Sequence, residues 1–126
     1  MIIHALDLGG YQYAKQQSIG ARPGGRAHKI DVVAARDGRT VLVSLKWQQV
    51  SGTAEQKVPF EVICLAEAVR DSNGRFSKAY LVLGGEGWTL RDFYTGGGLE
   101  DHLRYSDLVD ILTLESFVAR ANSGEL

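Results

Sequence analysis

This 126-residue chain predicts an α/β fold: a mixed β-sheet flanked by helices, with a core in the order α-β-β-β-α-β. Three observations carry the expectation. Two apolar runs, residues 28–35 and 40–47, are joined by Asp37-Gly38 and read as a β-hairpin. A helical stretch follows them. Ala79-Tyr80-Leu81-Val82-Leu83 then forms an unbroken apolar run, as in a strand buried on both faces and reached through a crossover helix.

Taken in order, residues 5–18 are expected as a first helix, with Leu6, Tyr13 and Ala14 among polar neighbours. Residues 19–22 read as a short strand, and Pro23-Gly24-Gly25-Arg26 as a flexible loop. The hairpin follows, then a connection over 48–52. Proline suits a first helical turn and breaks an interior, so Pro59 places the regular helix at 58–71, with a turn over 53–57; a continuous helix from 53 is the alternative. Asp71-Ser72-Asn73-Gly74 stops it. After the strand at 79–83 comes a glycine-rich segment, 84–98, with Trp88 and Tyr94. Residues 109–112 suit a last strand, and Thr113 caps a final helix. No repeat or linker divides the chain, so one domain over 1–126 is expected, with a core at 5–83 and a C-terminal extension at 84–126.

Composition excludes several classes. The chain is 44% hydrophobic and 23% charged, ordinary for a globular domain. No apolar run approaches the roughly 20 residues of a membrane span. The N-terminus lacks a basic region followed by an apolar run, and the single Cys64 cannot form an internal disulfide, so a cytoplasmic protein is expected. His4, His28 and His102 lack zinc-ligand spacing. Gly84-Gly85-Glu86-Gly87 lacks the lysine of a phosphate-binding loop, and Ser44 lacks a glycine elbow. Net charge is −1, but residues 15–46 hold seven basic and two acidic residues, while 86–126 hold three basic and eight acidic ones. A basic first third beside an acidic tail suits one anion-binding face.

The hairpin carries the chemistry. Asp31 lies near the start of its first strand and Lys46 near the end of its second, so antiparallel pairing makes them neighbours. A carboxylate can hold a divalent cation and an ammonium can steady a phosphate, although the same two residues also suit a plain cross-strand ion pair. Ser44, Lys46 and Gln48 alternate and share a strand face, while Gln48 and Gln49 also suit plain loop residues. Trp47 is expected in the core.

With Asp31 placed before Ser44-Leu45-Lys46 in this strand order, the chain resembles the PD-(D/E)xK nuclease superfamily, which includes restriction endonucleases and Holliday junction resolvases. The resemblance covers about residues 5–83. It implies a restriction endonuclease-like fold and a Mg²⁺- or Mn²⁺-dependent DNA endonuclease. Asp31 then matches the metal-binding acid, Lys46 the catalytic lysine, and the Leu45 carbonyl a further metal ligand. Ser44 departs from the pattern, which has Glu or Asp there, and a hydroxyl is a poor magnesium ligand. Some superfamily members carry the missing carboxylate on the following helix, where this chain offers Glu55 and Glu61. In a continuous helix Glu55 shares the apolar stripe of Val58, Val62, Leu65 and Val69; in a helix starting at Pro59, Glu61 sits in the first turn. Gln48 completes the candidate catalytic set. Arg22, Arg26, His28 and Lys29 are expected to contact the DNA backbone. One active site per short chain implies a homodimer for double-strand cleavage, with Trp88, Phe93, Tyr94 and Leu99 as its expected contact. The rival readings are a non-catalytic DNA-binding protein on the same fold and a protein-interaction module.

Overall fold

The computed structural model describes residues 1–126. Five strands form one sheet in the order β1-β2-β3-β4-β5. They are β1 (Gln12–Ala21), β2 (Ala27–Arg36), β3 (Arg39–Trp47), β4 (Lys78–Gly84) and β5 (Val109–Thr113). The first three are antiparallel, and β3-β4-β5 run parallel. Helices α1 (Ile2–Leu8) and α4 (Leu114–Asn122) cover one face; α2 (Ala54–Arg70) and the short α3 (Arg91–Thr95) cover the other. No helix is long and apolar enough to cross a membrane.

The hairpin forms as expected. Asp37 and Gly38 both take positive φ, +54° and +78°, which matches the twist of the strands that Arg36 and Arg39 close. β4 is buried on both faces: Leu81 and Leu83 pack toward α2, Tyr80 and Val82 toward α4. Thr113 caps α4, its hydroxyl accepting the Ser116 N–H at 3.2 Å.

The N-terminal third differs from expectation. The helix expected over 5–18 ends at Leu8, and β1 fills the rest. Gly9 lies so close to the Ala121 carbonyl that a Cβ would collide with it, and Gly10 has φ +82°. This glycine pair breaks the helix and lets α1 dock on α4. β1 is an edge strand exposed on nearly every residue, so it carries no alternating apolar signal.

The crossover helix is continuous from Ala54, with Pro59 inside it. Proline has no N–H to give the carbonyl four residues back, which is that of Glu55. The Tyr94 hydroxyl donates to that carbonyl instead, at 2.7 Å. Tyr94 thus repairs the helix at its one defect. Tyr94→Phe is expected to lower stability by about 1–3 kcal/mol through the unpaired buried carbonyl, as read by denaturant unfolding.

The C-terminal third is not an extension. β5 joins the sheet, and Trp88, Tyr94 and Leu99 are 7%, 5% and 9% exposed within their own chain's core. They close that core over α2 and cannot build the expected subunit contact; of that set only Phe93 reaches the surface.

Candidate active site

β2 and β3 pair regularly from Arg36↔Arg39 to Val32↔Val43 and then part. In continued register Asp31 would face Ser44 and Ile30 would face Leu45. Instead the Asp31 carboxylate enters the gap, its Oδ2 accepting the Leu45 N–H at 2.7 Å. The alternation of β2 also changes there: Ile30 packs toward α2, whereas Val32 and Ala34 pack toward α1 and α4. Across β1, Gln16 stands opposite Asp31, between the pairs Lys15↔Val32 and Gln17↔Ile30, with φ +54°. A left-handed backbone at a non-glycine residue costs about 1–3 kcal/mol, and such strain gathers at functional sites. Three neighbouring strands are therefore irregular at Asp31.

Beyond this break, β3 presents Ser44 and Lys46 to α2. Glu61, 7% exposed, reaches them from the helix. Its Oε2 is 3.6 Å from Lys46 Nζ, and its Oε1 accepts from the Ser44 hydroxyl at 3.3 Å. The buried His28 ring lies on the same carboxylate, Nε2 3.8 Å from Oε1, too far for a hydrogen bond. Burial pushes the Glu61 carboxyl up, but His28, the Lys46 ammonium and the Ser44 hydroxyl outweigh it and hold its pKa below the usual glutamate value. Asp31 thus binds residue 45, and Glu61 contacts residues 44 and 46. Two acids meet one three-residue stretch at the carboxyl end of the parallel pair β3–β4, the end where open α/β sheets place ligands.

The other expected site residues lie apart. Glu55 turns to the loop after β4, where the Thr89 N–H and hydroxyl and the Leu90 N–H, at 3.0 Å, bind its carboxylate. The Thr89 hydroxyl above all, opposed by burial and aided by these amides, lowers its pKa. Its task is to anchor the chain over α2. Gln48 also points away from Lys46: its Nε2 donates to the Gly87 carbonyl at 2.8 Å, and its Oε1 is buried without a partner. His28 is 2% exposed, so it belongs to the Glu61 cluster and cannot serve as a DNA-backbone contact. The spacing of His28 and Ile30 was the available signal, since both face α2. Arg26 and Lys29 are exposed, and the half-buried Arg22 lies over the Phe60 ring at 5.7 Å. Trp47, expected in the core, is 57% exposed.

A metal ion is testable against these donors. No three His, Cys, Asp or Glu side chains cluster into a ready-made cage. Magnesium does not need one, because it commonly takes one or two carboxylates and completes its shell with water and phosphate oxygens. Asp31, Glu61 and the Leu45 carbonyl are all hard oxygen donors, the type that suits a hard divalent cation.

Comparison with known proteins agrees with this fold. A XisH family protein from Nostoc punctiforme superposes with a TM-score of 0.56 at 20% identity, over 92% of this chain and 90% of that one. AF1548, a protein of unknown function, superposes with a TM-score of 0.55 at 14% identity, over 90% of this chain and 54% of that one, so this chain spans about half its length. At these identities the likeness establishes the fold alone. No curated protein sequence matches the chain. A family model described as a PD-(D/E)XK nuclease superfamily domain matches residues 2–125, last third included, and the chain belongs to that superfamily.

Proposed function

We propose that this protein is a divalent-metal-dependent DNA endonuclease, with Asp31, Glu61 and Lys46 at its centre. The observation that carries the reading is the meeting of both acids and the lysine on Ser44-Leu45-Lys46, where β2 and β3 part. Asp31, Glu61 and the Leu45 carbonyl would hold Mg²⁺ or Mn²⁺. When bound, the ion supplies Lewis-acid polarisation of the phosphate and a more acidic water. Lys46 turns its ammonium to the phosphate, where negative charge builds as the bond breaks. Ser44 fits this arrangement. An acid at 44 would press a second negative charge against Glu61, whereas the hydroxyl donates a hydrogen bond to it. The carboxylate absent from β3 is thus supplied by α2, from Glu61 rather than Glu55. Cutting both strands calls for two copies of the chain, because each has one such centre.

Arg22, Arg26 and Lys29 supply the phosphate contacts. Affinity for DNA is expected to fall steeply between low and physiological salt, by counterion release. Replacing Arg22 and Arg26 together should weaken binding to all sequences alike and reduce the slope of log K against log salt by about 2. Flat affinity across that range would remove this face from DNA binding. Ser44 favours one rival, a DNA-binding protein of the same fold that does not cut. Incubation with linear and with branched DNA, with and without Mg²⁺ or Mn²⁺, separates the two: metal-dependent products support the nuclease, and binding without products supports the rival.

A further inference from the structure

We infer that His28 is the positioning residue for Glu61: its Nε2–H holds Oε1 of that carboxylate and leaves Oε2 for the divalent cation; this deepens the nuclease reading and rests on it. A local irregularity of the sheet seats the ring. Ser18 pairs with Lys29 and Ala21 with Ala27, so Ile19 and Gly20 of β1 stand against the single residue His28. Such a β-bulge re-aims a side chain and is common beside active sites. Gly20 takes φ +119°, which glycine adopts without strain. Ala27 and Lys29 stay exposed, while His28 turns inward on the side of Ile30 and is 2% exposed.

The inward turn buries a polar atom. His28 Nε2 has no hydrogen-bond partner. Buried nitrogens in that condition are rare and costly, and an apolar side chain would fill a plain core position without the cost. Nε2 lies 3.8 Å from Glu61 Oε1, so a shift of about 0.8 Å brings the two to ordinary hydrogen-bond distance. The groups around Glu61 are divided between its oxygens. The Ser44 hydroxyl donates to Oε1 at 3.3 Å and His28 faces the same atom, whereas the Lys46 ammonium approaches Oε2, at 3.6 Å. Ser44 and His28 are buried, and the Lys46 side chain is 30% exposed, so Oε2 is on the open side. Once Lys46 turns to a phosphate, Oε2 is the oxygen free to meet a cation. Magnesium demands near-ideal octahedral geometry, and a second donor on Oε1 fixes the rotation of the carboxylate that must supply it.

The test reads metal binding and the ring itself, at about pH 8, above the ordinary imidazole range, so that no titration enters. Calorimetry with Mn²⁺ should show about tenfold weaker binding in His28→Leu, which packs but cannot donate. His28→Gln, whose amide nitrogen can take the place of Nε2, should bind within about threefold of wild type. In the Glu61→Gln background His28→Leu should cause no further loss, because its effect passes through that carboxylate. Proton–nitrogen correlation spectra of the wild-type ring in Mg²⁺ should place a proton on Nε2; they need no variant, so they decide even where His28→Leu does not fold. Unchanged Mn²⁺ affinity in a folded His28→Leu, equal losses in His28→Leu and His28→Gln, an Nε2 without a proton, or nitrogen hyperfine coupling between bound Mn²⁺ and the ring (a direct ligand) would each overturn the inference. The nuclease reading fails separately: Mn²⁺ binding that depends on His28 and Glu61, without cleavage of DNA, would sink it and leave the positioning role standing.

Discussion

Lys46→Ala is expected to slow DNA cleavage by about 10²–10³-fold while the protein stays folded and still binds DNA. The magnitude is that of losing one preorganised charge from a site where negative charge develops. The fold should survive because Lys46 contributes no core contact and its ammonium reaches solvent beside Glu61. Its ion pair joins a lysine 30% exposed to a glutamate 9% exposed, so some loss of melting temperature is expected, with the Ser44 hydroxyl remaining on the carboxylate. Loss of the lysine also frees the Glu61 charge, so metal affinity should hold or rise while the rate falls. Cleavage at the wild-type rate would remove Lys46 from the chemistry.

Glu61→Gln and Glu55→Gln are expected to part company. Both acids are buried on α2, and both have lowered pKa values, so sequence position and charge do not separate them. Their partners do. Glu61 faces Lys46 and Ser44, and its loss should weaken Mn²⁺ binding by about tenfold or more in calorimetry. Glu55 is spent on Thr89 and Leu90. Glutamine there sets an amide against backbone donors, so the melting temperature should drop with metal affinity unchanged. Asp31→Asn should resemble Glu61→Gln in metal binding, because asparagine can still accept the Leu45 N–H but brings no charge. Equal metal affinity in Glu61→Gln and wild type would show that α2 does not supply the ligand.

The hairpin was legible because a two-residue turn fixes register, and register fixes which residues oppose each other; Asp31 meets the Leu45 N–H only where that register has ended, and the acid beside Lys46 is Glu61. The choice between Glu55 and Glu61 was not legible, because it depends on where Pro59 falls in the helix. A proline reads as a start signal, yet here Tyr94, nearly forty residues away in sequence, satisfies the carbonyl that Pro59 strands. Of β1 only the end, within the short strand expected at 19–22, was legible, for a related reason. Exposed on both faces, it is held by backbone pairing to β2 and leaves no apolar period. The last third carried too weak a pattern for placement, since β5 is five residues long and the ties of Trp88 and Tyr94 run to Gly84 and Glu55. Gln48 shows the limit of strand alternation. It continues the Ser44-Lys46 parity, but β3 ends at Trp47, and the chain turns its side chain into the loop at Gly87.

The most direct measurement is the conversion of supercoiled plasmid by the wild-type protein in Mg²⁺ or Mn²⁺, set beside the same protein in EDTA. Metal-dependent appearance of nicked circles, with linear product following if two copies act together, is the expected result. Plasmid that stays supercoiled in both metals, in a protein that binds DNA and is folded, would contradict a nuclease centre at Asp31, Lys46 and Glu61.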